Sequence, residues 1–152
     1  MISLVVSGID LPREIVSKLE LYLSKTTPLG GVVSVRAVSA DYIKRLNRDY
    51  AGIDNSTDVL SFPYSEPQDS GSTGPETPLA DIVISKEHVK KQADMAGTSD
   101  EAEFVLLIIH GALHAFGFDH QDRGGQKVMD RHQSEIMSHL GLPYRDFGWL
   151  DS

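Results

Sequence analysis

The chain has 152 residues, enough for one domain with its own core, so neither a second domain nor a covalent staple is needed to explain stability. It contains no cysteine, which excludes disulfides and thiolate metal sites and leaves any metal to nitrogen and oxygen donors. With 14 basic against 22 acidic residues the formal charge is −8, which disfavours undirected binding to nucleic acid or anionic membranes, so a nucleic-acid partner must be held locally.

The opening residues MISLVVSGIDLPREIV carry no basic leader, and no apolar run in the chain reaches spanning length. The expectation is therefore a soluble, cytoplasmic protein with no membrane contact. Residues 2 to 7, ISLVVS, read as a strand, and Leu11-Pro12 opens a helix whose Ile15, Leu19 and Leu23 recur at helical spacing. After Gly30-Gly31 the near-alternation of Val33, Val35 and Val38 gives a second strand, and Ser39-Ala40-Asp41 starts a helix carrying Ile43 and Leu46. TDVLSF, residues 57 to 62, is a third strand stopped by Pro63, and DIVIS, residues 81 to 85, a fourth. Between them runs YSEPQDSGSTGPETPLA, a surface loop that either borders an active site or is plain slack. A helix over 86 to 95 leads to Gly97, and Thr98 with Glu101 offers a capping-box start for a helix whose FVLLII segment is apolar all round, and so buried. Val128, Met129, His132, Ile136, Met137 and Leu140 mark a last helix before Gly141.

Three of the six histidines fall within HGALHAFGFDH, residues 110 to 120. Residues four apart on a helix have Cβ atoms about 6 Å apart, so His110 and His114 can reach one ion at Zn–N distances of about 2.0–2.1 Å. A continuing helix would carry His120 about 15 Å along the axis from His110. The helix must therefore end first, and Gly117 supplies the break, turning the chain so that His120 returns toward the ion. The spacing H-x3-H-x5-H with a central glycine is that of the metzincin metalloproteases, but Gly111 stands where those enzymes carry their glutamate base. Three histidines leave a coordination position open for water, which the ion acidifies. Imidazole donors accept several divalent metals, zinc foremost. His88, His132 and His139 lack such company and read as packing or surface residues, and Met129 reads as core filling that also suits a place beneath the ligands.

HGALHAFGFDH, with Gly111, Leu113 and Asp119 matching as well as the histidines, resembles the H-G-x-L-H-x-x-G-x-D-H signature of the YbeY family of metal-dependent rRNA endoribonucleases. LNRDYAGIDNSTDVLSFP, residues 46 to 63, is similar to the family's segment ending T-D-V-L-S-F-P. LADIVIS, residues 79 to 85, resembles its G-D-I-x-I strand, and Met129 and Glu135 fall where it has a downstream methionine and glutamate. The resemblance covers residues 33 to 142. It implies a single α+β domain over residues 1–152, a four-stranded mixed β-sheet packed with about five α-helices, and a three-histidine metal site at a helix end. One divalent ion, Zn2+ foremost, would sit on His110, His114 and His120. The partners would be rRNA and the ribosomal subunit or its proteins, and the activity single-strand-specific cleavage in 16S rRNA 3′-end maturation and ribosome quality control.

The chain departs from the family at Ala51, where the resemblance calls for an arginine fitted to clamp phosphate, and at Ala80, in place of a glycine. Arg48 is the nearest substitute if the chain presents it to the same cleft; otherwise it is a solvated arginine at a helix end. Asp81 either polarises a ligand imidazole or orients water, or else satisfies loop amides, and Asp119 has the same pair of roles, partner or turn stabiliser. Arg48 and Arg36 are the cations available to offset transition-state charge. The competing reading is a metal-containing assembly factor that binds rRNA or a ribosomal protein with little or no turnover, favoured by Ala51 and the acidic charge. A zinc peptidase is the third, weakened by Gly111.

Overall fold

In the computed structural model, residues 1–64, 74–118 and 122–145 are described. Strand β1 (Ile2–Ser7) pairs in parallel with β2 (Gly31–Val38), and α1 (Arg13–Ser24) makes the crossover that a parallel pair requires. Helix α2 (Ala40–Ala51) follows, its first turn capped by Ser39, whose hydroxyl accepts from the Tyr42 amide. Edge strand β3 (Val59–Pro63) then lies antiparallel to β4 (Pro78–Ser85), which pairs in parallel with β2. The sheet order is β1-β2-β4-β3, a four-stranded mixed sheet. Helices α3 (Lys86–Ala96), α4 (Asp100–Ala115) and α5 (Arg123–Leu140) complete an α+β domain with five helices among the described residues, as the sequence leads one to expect.

Several boundaries differ from the sequence reading: β3 begins at Val59 rather than Thr57, and β4 begins at Pro78 rather than Asp81. Pro63 is the last residue of β3, opposite Ala80, because an edge strand tolerates a residue that donates no ladder hydrogen bond. The cap of α4 is Ser99, whose side chain accepts from the Ala102 amide. Thr98 belongs to the exit of α3, its amide bonding the Ala93 carbonyl at 3.0 Å, and so cannot also begin the next helix. Residues 65–73, the middle of the Ser/Gly/Pro-rich connection, lie outside the described residues. On either side, the Tyr64 amide bonds the Leu79 carbonyl and a turn closes from Gly74 to Thr77.

Val33, Val35 and Ala37 of β2 and Ala80, Ile82 and Ile84 of β4 point to one face of the sheet and join the main core. Helix α4 lies on that face, buried from Ala102 through Leu113, and packs against β3, β4, α1, α3 and α5. A helix apolar on every side suits a position enclosed on every side. The opposite face carries α2, with Ile43 buried beneath it and Tyr50 packed edge-on to Phe62 of β3. One ion pair sits deep in the structure: Arg145 grips Glu103 of α4 with two hydrogen bonds, of 2.8 and 2.6 Å. Among the described residues, no helix is long and apolar enough to cross a membrane.

Candidate active site

Helix α4 brings His110 and His114 onto one face, ring centroids 4.8 Å apart and planes inclined at 76°. His110 is buried and His114 half-buried. Both line a cleft of about 430 Å³ between the C-terminal part of α4 and edge strand β3, with Asp58, Ser61, Pro63 and Gly111 among the other lining residues.

The helix stops where the glycine break was expected. Ala115 is its last residue, Gly117 has φ +103°, and the amides of Gly117 and Phe118 close back onto the carbonyls of His114 and Leu113, each at 3.0 Å. A side chain at such a φ is strained, so glycine is the residue that ends the helix here. Phe118 meets the ring of His132 on α5, the centroids 5.0 Å apart. His120 and Asp119 lie outside the described residues, and among those described no three His, Asp or Glu side chains converge on one point.

The two described imidazoles suit a nitrogen-preferring divalent ion. His110 Nδ1 is 2.7 Å from the amide oxygen of Gln133, itself 1% exposed. That contact engages Nδ1, an arrangement common among ligating histidines, whose other ring nitrogen binds the metal.

Gly111 is fixed by a close approach. A Cβ there would stand 2.9 Å from Ile82 Cγ2 and 3.4 Å from Val59 Cγ2, while its carbonyl accepts from the Ser61 hydroxyl at 2.9 Å. Position 111 is pressed against β3 and β4, so the glutamate base of the metzincin pattern has no room, and the peptidase reading falls with it.

The sheet separates the predicted carboxylate and arginines from the histidines. Ile82 points at α4, so Asp81 points to the other face, where it is in register with Phe62 of β3. There the Tyr64 hydroxyl donates to Asp81 at 2.6 Å. The Tyr64 proton is held above the usual 10.0, chiefly by that hydrogen bond, then by desolvation and the charge of Asp81, with Arg36 opposing. Asp81 is therefore not the polarising partner of His110, a place taken by Gln133. Arg48 is exposed at the end of α2 and paired with Asp49 at 3.4 Å, Ala51 closes that helix on the surface, and Arg36 reaches the Tyr42 hydroxyl at 3.5 Å. None of them lines the cleft.

Two residues of the site were missed in the sequence. Gln133 had a visible signal: a polar residue on the apolar stripe of the last helix, four positions after Met129 and before Met137. Asp58, in the TDVLSF run read only as strand, is the carboxylate of the described cleft lining; Gln92 Nε2 donates to its Oδ2 at 3.3 Å and Thr57 to its Oδ1 at 3.4 Å. The remaining histidines have structural partners: His88 with Ser85 at 2.8 Å, His132 with Phe118, and His139 stacked on Tyr22.

Comparison with known proteins gives a consistent result. The family model described as Endoribonuclease YbeY matches residues 10–141. The Endoribonuclease YbeY of Caldanaerobacter subterraneus subsp. tengcongensis is 41% identical over 117 residues, covering 72% of this chain and 74% of that protein. That of Chloroflexus aurantiacus is 36% identical over 141 residues, covering 90% and 92%. Among solved structures, the solution structure of TM1509 from Thermotoga maritima superposes with a TM-score of 0.60 at 28% identity, covering 91% of each chain.

Proposed function

The chain belongs to the YbeY endoribonuclease family, and from that premise we infer that it hydrolyses RNA phosphodiester bonds at the cleft between α4 and β3. The observation that carries this is the pair His110 and His114, set on one face of a buried helix and opening into that cleft. With His120 as third donor they would hold one divalent ion, zinc by preference of the imidazole set. The ion supplies Lewis acidity toward a phosphate oxygen and toward water.

The chain's own groups supply the rest. Asp58, its oxygens steadied by Gln92 and Thr57, still has acceptor capacity at the cleft wall and takes the proton of the attacking water. A ligand pair recessed between a helix and a sheet edge favours a flexible single strand over a duplex. The substrate is rRNA, within 16S 3′-end maturation and ribosome quality control on the ribosomal subunit, the reading that the family resemblance supports. Arg48 and Asp81 are not assigned to the reacting atoms, since both stand away from the cleft.

The second reading, an rRNA-binding assembly factor with little turnover, is favoured by one observation: among the described residues, no lysine or arginine lines the cleft. Cleavage of a single-stranded rRNA fragment by zinc-loaded protein, with His114→Ala prepared in parallel, separates the two. Cleavage that His114→Ala abolishes supports the nuclease; no cleavage by the intact zinc-loaded protein moves the assignment to the assembly factor.

A further inference from the structure

The inner face of α5 presents Met129, Ile136, Met137 and Leu140 to the core, and among them one amide, Gln133. A buried amide destabilises the fold unless both of its ends are satisfied. Here both are. The amide oxygen lies 2.7 Å from His110 Nδ1, the amide nitrogen donates to the Tyr144 hydroxyl at 3.3 Å, and that hydroxyl donates to Asp130 Oδ1 at 3.2 Å. Tyr144 reaches this position because the chain turns back beyond the end of α5 and lays it against the same helix.

The direction of the chain follows from its far end. A carboxylate accepts and does not donate, so the Tyr144 proton points at Asp130 and the phenolic oxygen offers its lone pairs to Gln133. That oxygen accepts from the amide nitrogen, which leaves the amide oxygen facing His110. An amide oxygen has no proton to give, so Nδ1 of His110 carries the hydrogen and the ring's lone pair sits on Nε2.

We propose that Gln133 is a positioning residue for the metal: Asp130 and Tyr144 orient its amide, and the amide holds His110 as the Nδ1–H tautomer with Nε2 ready as donor before any ion arrives. The inference rests on the metal reading of His110 and His114 given above. Its energetic logic is preorganisation, since a ring already held in one orientation and one tautomer gives up little freedom on binding. The choice of a neutral amide has a consequence of its own. A carboxylate in that place would make the imidazole a stronger donor, whereas an amide leaves more positive charge on the ion to act on a phosphate oxygen.

Two readouts test this, one without metal. In long-range 15N–1H correlation spectra of the metal-free protein, His110 is expected as the single Nδ1–H tautomer. In Gln133→Leu, which keeps the bulk and removes the acceptor, both tautomers appear, and zinc affinity measured against a chromophoric chelator falls about 10- to 100-fold. Gln133→Glu restores the tautomer and binds zinc at least as tightly as the unchanged protein. Tyr144→Phe, which leaves Gln133 in place and removes the source of direction, gives mixed tautomers with a smaller loss of affinity. It carries the test if Gln133→Leu does not fold. Unchanged tautomer and unchanged affinity in Gln133→Leu, or an unchanged tautomer in Tyr144→Phe, overturn the proposal. Should the unchanged protein show the Nδ1–H tautomer yet bind no zinc, it is the metal reading that fails, while the polarity of the hydrogen-bond chain stands.

Discussion

The two faces of the sheet are built from neighbouring residues and have opposite characters. On the α4 face, Ala80, Ile82 and Ile84 are buried against a helix that carries the paired histidines, and the polar groups that remain are tied: Gln133 to His110, Ser61 to the Gly111 carbonyl. On the α2 face, one residue along the same strand, Asp81 meets Tyr64, Tyr50 is 74% exposed, and Arg36, Arg45 and Tyr42 gather at the surface. Charge and aromatic rings visible from outside would draw attention to the second face, yet the paired histidines occupy the first. Chemistry that needs fixed geometry is placed where packing fixes side chains, and the alternation of a strand is enough to put a neighbouring carboxylate out of its reach.

The comparison can be broken at several points. His114→Ala is expected to reduce single-turnover RNA cleavage by at least about 100-fold, more than loss of a ligand's hydrogen-bond partner brings, with an unaltered circular dichroism spectrum. Asp58→Asn removes the proton acceptor while its amide oxygen can still accept from Gln92 and its amide nitrogen can donate to the Thr57 hydroxyl, so cleavage falls about 100-fold with zinc affinity unchanged; activity retained in that variant would return the acceptor role to another group. Gly111→Ala drives a methyl toward Ile82 and costs about 1–3 kcal/mol in urea denaturation, even though alanine favours a helix. Ala51→Arg adds a cation at the end of α2 and raises cleavage only a few-fold, through a lower KM, as an exposed charge allows. Asp81→Asn alters cleavage less than about twofold, as expected for a change distant from the cleft, and a large loss would unite the two faces functionally.

The same Asp81→Asn variant reads out a titration. Tyr64 has its proton affinity raised in the folded state, so the stabilisation from its bond to Asp81 is fully present below the ordinary tyrosine range and is lost as pH rises through the higher folded value. Phenolate absorbance of Tyr64 is expected to develop at lower pH in Asp81→Asn than in the unchanged protein.

Much of this organisation was legible from periodicity. The strands and helices follow from alternation and from apolar residues three and four apart, and the end of α4 follows from Gly117, because few other residues suit its φ. What escaped had causes outside the local pattern. Thr98 and Ser99 are adjacent potential caps, and only the closing bond of α3 decides between them. The side of the sheet on which Asp81 lies depends on the packing of Ile82 against Gly111, two residues 29 positions apart in a chain whose spacing says nothing of that contact. Gln133 pairs with a histidine on another helix, and Asp58 is held by Gln92 from α3, so both become visible only when the helices are assembled.

The burial of α4 also sets a timescale. Amides from Leu106 to Leu113 lie in the most enclosed helix of the domain, so their exchange with solvent deuterium is governed by global opening rather than by fraying of one end. His110 lies within that stretch and His114 directly follows it, so the backbone spacing of the pair is expected to persist as long as the molecule stays folded.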